Sequence, residues 1–326
     1  MRLTFATTFI GICLLAGCNA ADDASRAEAA EPSAPAVPVE EWTVENLGGA
    51  YVDAGDGAPV VLIVPGSGPT DRDGNNRLGV AAASYRLLAD ALYARGVSTV
   101  RVDKRGLFSS AGAGDGNAVT VDIYAEDYRL WKKTIRERTG VSCVYMLGHS
   151  EGALMVSAAA VGQDDVCGLI LVSGAGRKLG DVLREQLRAN PANGPILDQA
   201  FGAIDAIEAG EDVDVDALHP ALRPLFARPV QNYLKSLFVA DPAAIAGAAG
   251  VRTLIVHGET DLQTSIEDAQ LLAEATGGTL RIIGGVNHVL KEAPASRAAN
   301  LATYADPDLP IAPPVVDAVA DFVKKE

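Results

Sequence analysis

The sequence predicts an α/β fold in which a mostly parallel sheet is flanked by helices, and three observations support this expectation. Short apolar runs rich in Val and Ile alternate with longer amphipathic stretches along most of the chain. The apolar runs lack a regular apolar–polar alternation, which is typical of parallel strands buried on both faces. The amphipathic stretches have the length of helices that cover such a sheet, so strand and helix are expected to alternate.

Six strands and five helices are predicted around one interruption. The predicted strands are residues 60–64, 97–102, 141–147, 166–172, 251–256 and 279–283. The predicted helices are residues 80–95, 123–138, 150–161, 265–276 and 315–325. Between residues 175 and 250 helical segments are separated by Pro and Gly, without a convincing strand. This segment is interpreted as a helical cap inserted over the sheet edge.

The composition excludes several function classes. Of the 326 residues 48% are hydrophobic, and the formal net charge is −15. The hydrophobic content is too high for intrinsic disorder, and the negative charge argues against nucleic acid and anionic membrane surfaces as partners. Four cysteines are too few for a disulfide-built scaffold and too irregularly spaced for a zinc site.

The N-terminus is similar to the signal of a bacterial lipoprotein. Arg2 supplies a positive start, and the apolar stretch of residues 3–15 is too short to remain as a membrane-spanning helix. It ends in Leu-Ala-Gly-Cys, which resembles a lipobox, and this implies cleavage before Cys18 and acylation of its thiol. We therefore expect a periplasm-facing envelope protein whose membrane attachment is this lipid alone. An ordinary signal peptide is the alternative.

The rest of the chain divides into a tether and one folded domain. After the signal (residues 1–17), the lipidated cysteine and a flexible tether are predicted for residues 18–41, which are rich in Ala, Glu and Pro. Residues 42–326 are predicted to form the folded domain with its cap. Within it, Cys143 and Cys167 begin two predicted neighbouring strands, and an oxidising periplasm would allow them to pair. Two buried free thiols are the alternative.

The pentapeptide Gly148-His149-Ser150-Glu151-Gly152 carries the main chemical signal. It lies between a predicted strand and a predicted helix, where the chain must turn sharply and the residues flanking the serine must be small. Such a turn strains the serine and lifts its hydroxyl clear of the sheet. Ser150 is therefore the predicted nucleophile.

A serine nucleophile needs a histidine base, and this chain has four histidines. His149 is expected to point into the packing of the turn rather than at the Ser150 hydroxyl. His219 lies in the predicted cap, and His257 ends a predicted strand, where a hydrogen-bonded structural role is expected. His288 follows the last predicted strand and is the predicted base.

A carboxylate must orient the imidazole and stabilise its protonated form. Asp261 follows a predicted strand, and the order Ser150, Asp261, His288 is the order that this arrangement requires. Glu259 is the rival candidate, and Asp268 is disfavoured because it falls inside a predicted helix.

An oxyanion formed during acyl transfer needs two backbone N–H donors. The amide of Glu151, at the start of the helix after the serine, is one candidate. The second is assigned to Ser67 in the glycine-rich loop after the strand of residues 60–64. This loop lacks the Gly-Lys-Ser/Thr of a phosphate-binding loop. Asp71, Asp73 and Asn75 imitate the start of a calcium loop but lack its glycine and final acid, so no metal is predicted.

Taken together, these motifs resemble the α/β-hydrolase superfamily over residues 42–326, in particular bacterial acyl esterases related to serine aminopeptidase-like hydrolases. The closer similarity is carried by residues 66–75, by Asp103-Lys104-Arg105-Gly106 and by residues 287–291. The resemblance implies an α/β-hydrolase fold, a small carboxylic ester as substrate and no cofactor. The sequence departs from the pattern at residues 107–109, where many relatives carry a glycine, which leaves the shape of this loop open.

Charged residues in the resembling segments have a structural and a functional interpretation. Asp71, Arg72 and Asp73 are expected to hold their loop by internal hydrogen bonds rather than to contact substrate. Asp103 and Arg105 are expected to form a structural ion pair or a loop brace.

The predicted function is a serine esterase that works through an acyl-enzyme. A serine peptidase or amidase acting on short peptides is one alternative, because the same triad serves both reactions. A non-catalytic envelope lipoprotein that uses the fold as a binding module is the other. That alternative predicts a degenerate triad, whereas every triad position is filled here. The oligomeric state is not predicted.

Overall fold

The computed structural model describes residues 37–325. The predicted signal, the lipidation site Cys18 and most of the predicted tether lie outside the described residues. Within residues 37–325, no helix combines the length and the apolar character that a membrane crossing requires.

The elements follow one another in strand–helix order along most of the chain. The strands are β1 (Glu40–Val44), β2 (Leu47–Val52), β3 (Val60–Val64), β4 (Asn75–Asn76), β5 (Val80–Ala81), β6 (Ser98–Val102), β7 (Val144–His149), β8 (Val166–Val172), β9 (Thr253–Gly258) and β10 (Thr279–Ile283). The helices are α1 (Ser84–Tyr93), α2 (Val121–Thr139), α3 (Glu151–Ala160), α4 (Leu179–Arg188), α5 (Leu197–Glu208), α6 (Gln231–Val239), α7 (Pro242–Ala248), α8 (Ile266–Thr276), α9 (Arg297–Ala302) and α10 (Pro313–Lys324).

Eight strands form one sheet in the order β1-β2-β6-β3-β7-β8-β9-β10, while β4 and β5 form a separate two-stranded ribbon. The six neighbouring strands β6, β3, β7, β8, β9 and β10 run parallel to one another, and β2 pairs with β6 in antiparallel orientation. The predicted fold class, a mostly parallel sheet flanked by helices, is confirmed. Parallel strands end at one edge of the sheet, so the loops after β3, β7, β9 and β10 lie on the same side of the molecule.

The core lies on both faces of the sheet, which explains why the strands read as continuous apolar runs. All five residues of β3 are buried. Leu62 and Val64 pack in one apolar cluster with residues of α2, α3 and the segment between β8 and β9. Val61 and Ile63 pack in the other cluster with residues of α1 and α10.

The N-terminal hairpin of β1 and β2 was not predicted from the sequence. β1 begins at Glu40, two residues before Trp42. β2 contains Gly48 and Gly49, which interrupt its apolar pattern and concealed the strand. A Cβ at Gly48 would lie 2.1 Å from Ser109 Oγ and one at Gly49 would lie 2.8 Å from the Trp131 ring, so both positions need glycine.

The segment between β8 and β9 contains α4, α5, α6 and α7 and, among its residues, no strand. Phe226, Leu234 and Phe238 from this segment are fully buried in the same apolar cluster as one face of the sheet. The inserted helices are therefore packed on the sheet as part of its core.

Two further local features complete the fold. Cys143 and Cys167, which lie before and at the start of the neighbouring strands β7 and β8, form a disulfide with a Cα–Cα distance of 5.2 Å. Phe108 has a φ of 47°, in the left-handed region that favours glycine. It stands in the segment where the family pattern has a glycine, and the loop adopts a glycine-like conformation with a phenylalanine.

Candidate active site

The turn from β7 to α3 presents Ser150 in a strained conformation. Its φ of 54° and ψ of −122° lie in a region that a side chain rarely adopts. A Cβ at Gly148 would lie 2.2 Å from the Gly152 oxygen, and one at Gly152 would lie 2.6 Å from the Val64 oxygen. The two glycines are thus required by close backbone contacts, which accounts for the pentapeptide pattern.

His288 lies in the loop after β10, and its Nδ1 donates a 2.8 Å hydrogen bond to Asp261 Oδ2 in the loop after β9. A carboxylate only accepts hydrogen bonds, so Nδ1 carries the proton and Nε2 keeps a lone pair. His288 is therefore held in the tautomer that a general base needs.

The carboxylate of Asp261 is buried and fully hydrogen-bonded. Its Oδ1 accepts backbone N–H groups of Gln263 at 2.7 Å and Thr264 at 3.1 Å. Burial alone would raise the pKa of Asp261, but the neighbouring His288 and these hydrogen bonds outweigh it and lower the pKa to about 2. Asp261 is thus ionised throughout the neutral pH range.

Ser150 and His288 open onto the same cavity of about 110 Å³. Residues from the loop after β3, from the region of β4 and β5 and from α9 line it. Apolar side chains form much of the wall: Leu78, Val80, Leu262, Val289 and Leu301. Gln186 and Asn190, at and just after the end of α4, close one side, so the inserted helices contribute to the cavity but not to the triad.

The rival carboxylates lie elsewhere. Glu259 is exposed, and its Oε2 accepts the Gly285 amide at 3.3 Å. Asp268 caps the N-terminus of α8 and forms an ion pair with Arg177 at 2.7 Å. Among the three carboxylates considered, Asp261 is the one that contacts His288.

The other histidines differ from one another. His219 is exposed on the inserted segment. His257 is 1% exposed, and its Nδ1 lies 3.9 Å from Asp261 Oδ2. Neither ring nitrogen of His257 has a hydrogen-bond partner among residues 37–325. The expected hydrogen-bonded role is wrong, because the buried ring lies beside Asp261 beyond hydrogen-bond distance. Burial lowers the pKa of His257.

His149 turns away from the Ser150 hydroxyl, as expected, and joins three loops. Its Nε2 lies 2.8 Å from the backbone oxygen of His288, so this nitrogen carries the proton. Its Nδ1 then accepts from the Tyr85 hydroxyl at 2.8 Å, and that hydroxyl accepts the Gly66 amide at 3.0 Å. Burial, reinforced by the nearby His288, lowers the pKa of His149 to about 3, so the ring stays neutral. The chain of bonds fixes the glycine-rich loop and the base loop relative to the turn.

The glycine-rich loop approaches Ser150 closely. A Cβ at Gly66 would lie 3.0 Å from the Ser150 Cβ, so only glycine allows this approach without displacement. Ser67 lines the cavity, and its hydroxyl donates to Glu151 Oε2 at 3.1 Å. Ser67 and Glu151, the two predicted oxyanion donors, are therefore neighbours beside the serine.

The charged side chains of the loop after β3 form hydrogen bonds and ion pairs with other protein groups. Asp71 Oδ1 accepts the amides of Asp73 and Asn75, each at 2.9 Å, and the Arg72 side chain bonds Glu41. Asp103 and Arg105 are not paired with each other.

Asp103 accepts the Arg72 amide at 2.8 Å, and Arg105 pairs with Asp127. Both expected structural roles are therefore present, a loop brace at Asp103 and an ion pair at Arg105, although the two residues do not pair with each other.

Two residues of the site were missed from the sequence. Tyr85 reads as an apolar-face residue of α1, and Lys104 reads as a loop charge. Lys104 is buried, and its Nζ donates to the Gly66 oxygen at 2.7 Å. Its place in the family-like turn Asp103-Lys104-Arg105-Gly106 was the available signal for Lys104, and the contact with Gly66 depends on folding.

Comparison with known proteins gives a consistent result. Residues 75–192 match the family model described as serine aminopeptidase, S33. Esterase EstD of Thermotoga maritima is 26% identical over 264 residues, covering 77% of this chain. The chain spans 60% of the length of that protein.

Solved structures show the same fold at low sequence identity. Est1E of Butyrivibrio proteoclasticus, determined with bound ferulic acid, has a TM-score of 0.52 and 17% identity and covers 82% of this chain and 96% of its own. The esterase Pf2001 of Pyrococcus furiosus has a TM-score of 0.55 and 16% identity, covering 88% of this chain and 89% of its own.

Proposed function

We propose that this chain, which belongs to the α/β-hydrolase superfamily, is a serine hydrolase of carboxylic esters. The observation that carries the proposal is the arrangement of three side chains. Ser150 stands in a strained turn on the same cavity as His288, whose Nδ1 is hydrogen-bonded to the ionised Asp261. An oriented histidine base on the cavity that a strained serine lines supports the activation of that serine hydroxyl.

The proposed reaction has two halves. His288 Nε2 takes the proton of the Ser150 hydroxyl as its oxygen attacks the ester carbonyl, and the tetrahedral oxyanion is stabilised by the amides of Ser67 and Glu151. The protonated His288 then donates the proton to the departing alcohol. Water, activated by the same histidine, releases the acid from the acyl-enzyme. Only side chains, backbone amides and water take part in these steps.

The cavity supports a preference for apolar esters. Leu78, Val80 and Leu301 form part of its wall, which suits an apolar group on one side of the scissile bond. The names of the matched esterases support an ester as the substrate.

Covalent labelling of the full chain with a fluorophosphonate probe tests this proposal. We expect one adduct, located by mass spectrometry on Ser150 and absent in the Ser150→Ala variant. A folded wild-type protein that is not labelled, under conditions where a known serine esterase is, would contradict the proposal and favour a binding module.

A peptidase or amidase activity is the second candidate, because the matching family model is described as a serine aminopeptidase. Turnover of an ester and an amide with the same acyl group decides between the two. An esterase is expected to hydrolyse the ester much faster relative to the uncatalysed rates, whereas comparable rate enhancements on both substrates would indicate an amidase.

We also propose that the protein is a periplasm-facing lipoprotein anchored through Cys18. The lipobox-like sequence supports the anchor, and the disulfide between Cys143 and Cys167 suits an oxidising compartment. Labelling of bacteria with a palmitate analogue should modify the wild-type chain and leave Cys18→Ser unmodified. Equal labelling of both chains would exclude this anchor.

A further inference from the structure

Lys104 places a buried ammonium group directly under the glycine-rich loop. It is 5% exposed, and its Nζ donates a 2.7 Å hydrogen bond to the Gly66 backbone oxygen. Within residues 37–325 it forms no ion pair with a carboxylate at contact distance. Burial lowers the pKa of Lys104, and Glu151 nearby opposes that shift. A cation in such a place costs stability, so its presence there calls for an explanation beyond packing.

The Gly66 oxygen that Lys104 binds belongs to the same peptide group as the Ser67 amide. A donor on the carbonyl oxygen draws electron density toward that oxygen and leaves the N–H at the other end more positive. The effect is largest when the donor is charged and shielded from water. The Ser67 amide is the donor proposed above for the oxyanion.

We infer that Lys104 is a positioning residue of the oxyanion hole, which strengthens the Ser67 amide as a hydrogen-bond donor by polarising the Gly66–Ser67 peptide from its carbonyl side. The inference rests on the proposed function. Its ammonium group acts on the oxyanion through this peptide and does not touch the substrate.

The contacts around this peptide fix its orientation as well. The Gly66 amide donates a 3.0 Å hydrogen bond to the Tyr85 hydroxyl. The Ser67 hydroxyl donates to the Glu151 carboxylate at 3.1 Å, and the Ser67 backbone oxygen accepts from the Thr70 hydroxyl at 2.9 Å. A rotated peptide would direct its oxygen toward the substrate and would have to break the bond to Lys104. The lysine thus keeps the amide, and not the oxygen, turned to the site.

The inference predicts that Lys104 stabilises the transition state more than the bound ester. The oxyanion carries a full charge, whereas the ester carbonyl carries only a partial one, so a more polar amide stabilises the oxyanion more. Removal of Lys104 should therefore lower kcat and leave KM nearly unchanged.

Two variants of Lys104 separate charge from hydrogen bonding. Lys104→Met removes both, whereas Lys104→Gln keeps an N–H donor in the buried position and loses only the charge. Lys132→Met is the matched control, because Lys132 is also buried and pairs with Asp165 far from the cavity. It is expected to lose thermal stability without a change in kcat.

The measurements are kcat and KM on a p-nitrophenyl ester, and the inhibition constant of benzeneboronic acid, which forms a tetrahedral adduct on an activated serine. We expect Lys104→Gln and Lys104→Met to lower kcat and boronate affinity in parallel, by about tenfold, which is less than the loss of a direct oxyanion donor. KM should stay within about twofold.

The outcomes distinguish this inference from the proposed function. Fluorophosphonate labelling of the wild type is done first, and its failure would remove the proposed function whatever Lys104 does. A labelled wild type together with a folded Lys104→Gln variant that binds the boronate as tightly as wild type would overturn the role of Lys104. A Lys104→Arg variant, which restores the charge, should recover most of the lost kcat.

Discussion

The two ends of β7 differ: covalent and ionic pairs stabilise the amino end, whereas the carboxyl end holds a strained residue. At the amino end, Cys143 is bonded to Cys167, and Asp165 at the start of the neighbouring strand pairs with Lys132 and Arg136. At the carboxyl end, Ser150 has a positive φ. The two ends are separated by six residues, or roughly 20 Å of extended chain.

Buried polar groups near the carboxyl end have few hydrogen-bond partners or none. Lys104 is buried with a single carbonyl acceptor, and His257 has no hydrogen-bond partner among the described residues. The amino end thus contributes stability, while the carboxyl end keeps groups that cost stability and are held by the surrounding packing. Substitutions at the two ends should therefore affect different measurements.

The largest effect is expected from Asp261→Asn. The amide would favour the wrong tautomer of His288 while leaving the shape of the site intact, so kcat should fall by about 10⁴-fold. Ester hydrolysis measures the loss, and Glu259→Gln is the matched control because Glu259 lies two residues away and does not contact His288. Equal activity losses in both variants would refute the assignment of Asp261.

The second effect belongs to the amino end. Replacing both Cys143 and Cys167 by Ala opens a loop of 24 residues, and the free energy of unfolding should fall by ~3 kcal/mol. Urea unfolding measures this change, with kcat expected to stay at the wild-type value. A large loss of kcat in the folded variant would break the separation between the two ends.

The third effect is a pH dependence of stability from His149. Its pKa is about 3 in the fold and 6.5 without it, so the unfolded chain binds more protons between these values. Stability should therefore fall as the pH drops from 6.5 toward 3, by up to roughly 1.4 kcal/mol per pH unit. His257 acts with the same sign.

Urea unfolding across this pH range compares wild type with His149→Gln, which should show a shallower slope. His219→Gln, in the exposed part of the inserted segment, controls for the loss of one histidine. Identical slopes for wild type and His149→Gln would show that the pKa of His149 is not lowered in the fold.

The smallest effect is expected from Tyr85→Phe. The change leaves the Gly66 amide and His149 Nδ1 without the hydroxyl that joins them, and kcat should fall by about tenfold as the loop loosens. Tyr145→Phe, which removes a hydroxyl from a tyrosine of β7 packed on Phe322, is the control. If both variants keep wild-type kcat, the chain of bonds through Tyr85 does not position the loop.

Most of the sheet could be predicted from the sequence because its strands are buried on both faces. β3, β8 and β10 have the predicted bounds, and the remaining predicted strands are shifted by one to three residues. The β1–β2 hairpin escaped because Gly48 and Gly49 serve packing against Ser109 and Trp131, and such contacts leave no periodic signal.

The residues of the candidate site differ in how well they could be predicted from the sequence. The local chemistry of the turn indicated Ser150, and chain order indicated Asp261 and His288. The roles of Tyr85 and Lys104 could not be inferred, because each depends on a contact with Gly66 across 19 and 38 residues of sequence. Local rules identify groups that act through their own position and miss groups that act through a neighbour's backbone.

The position of the inserted helices has a consequence for evolution. Ser150, Asp261, His288 and Ser67 all lie in loops at the carboxyl edge of the sheet, whereas the segment between β8 and β9 supplies wall residues such as Gln186 and Asn190. Substitutions in the insertion can therefore change one side of the cavity without touching the proposed triad, whereas Leu262 and Val289 on the apolar side adjoin Asp261 and His288 in the chain. Under the proposed function, the insertion is the part of the wall that is free to vary while the residues of the reaction stay in place.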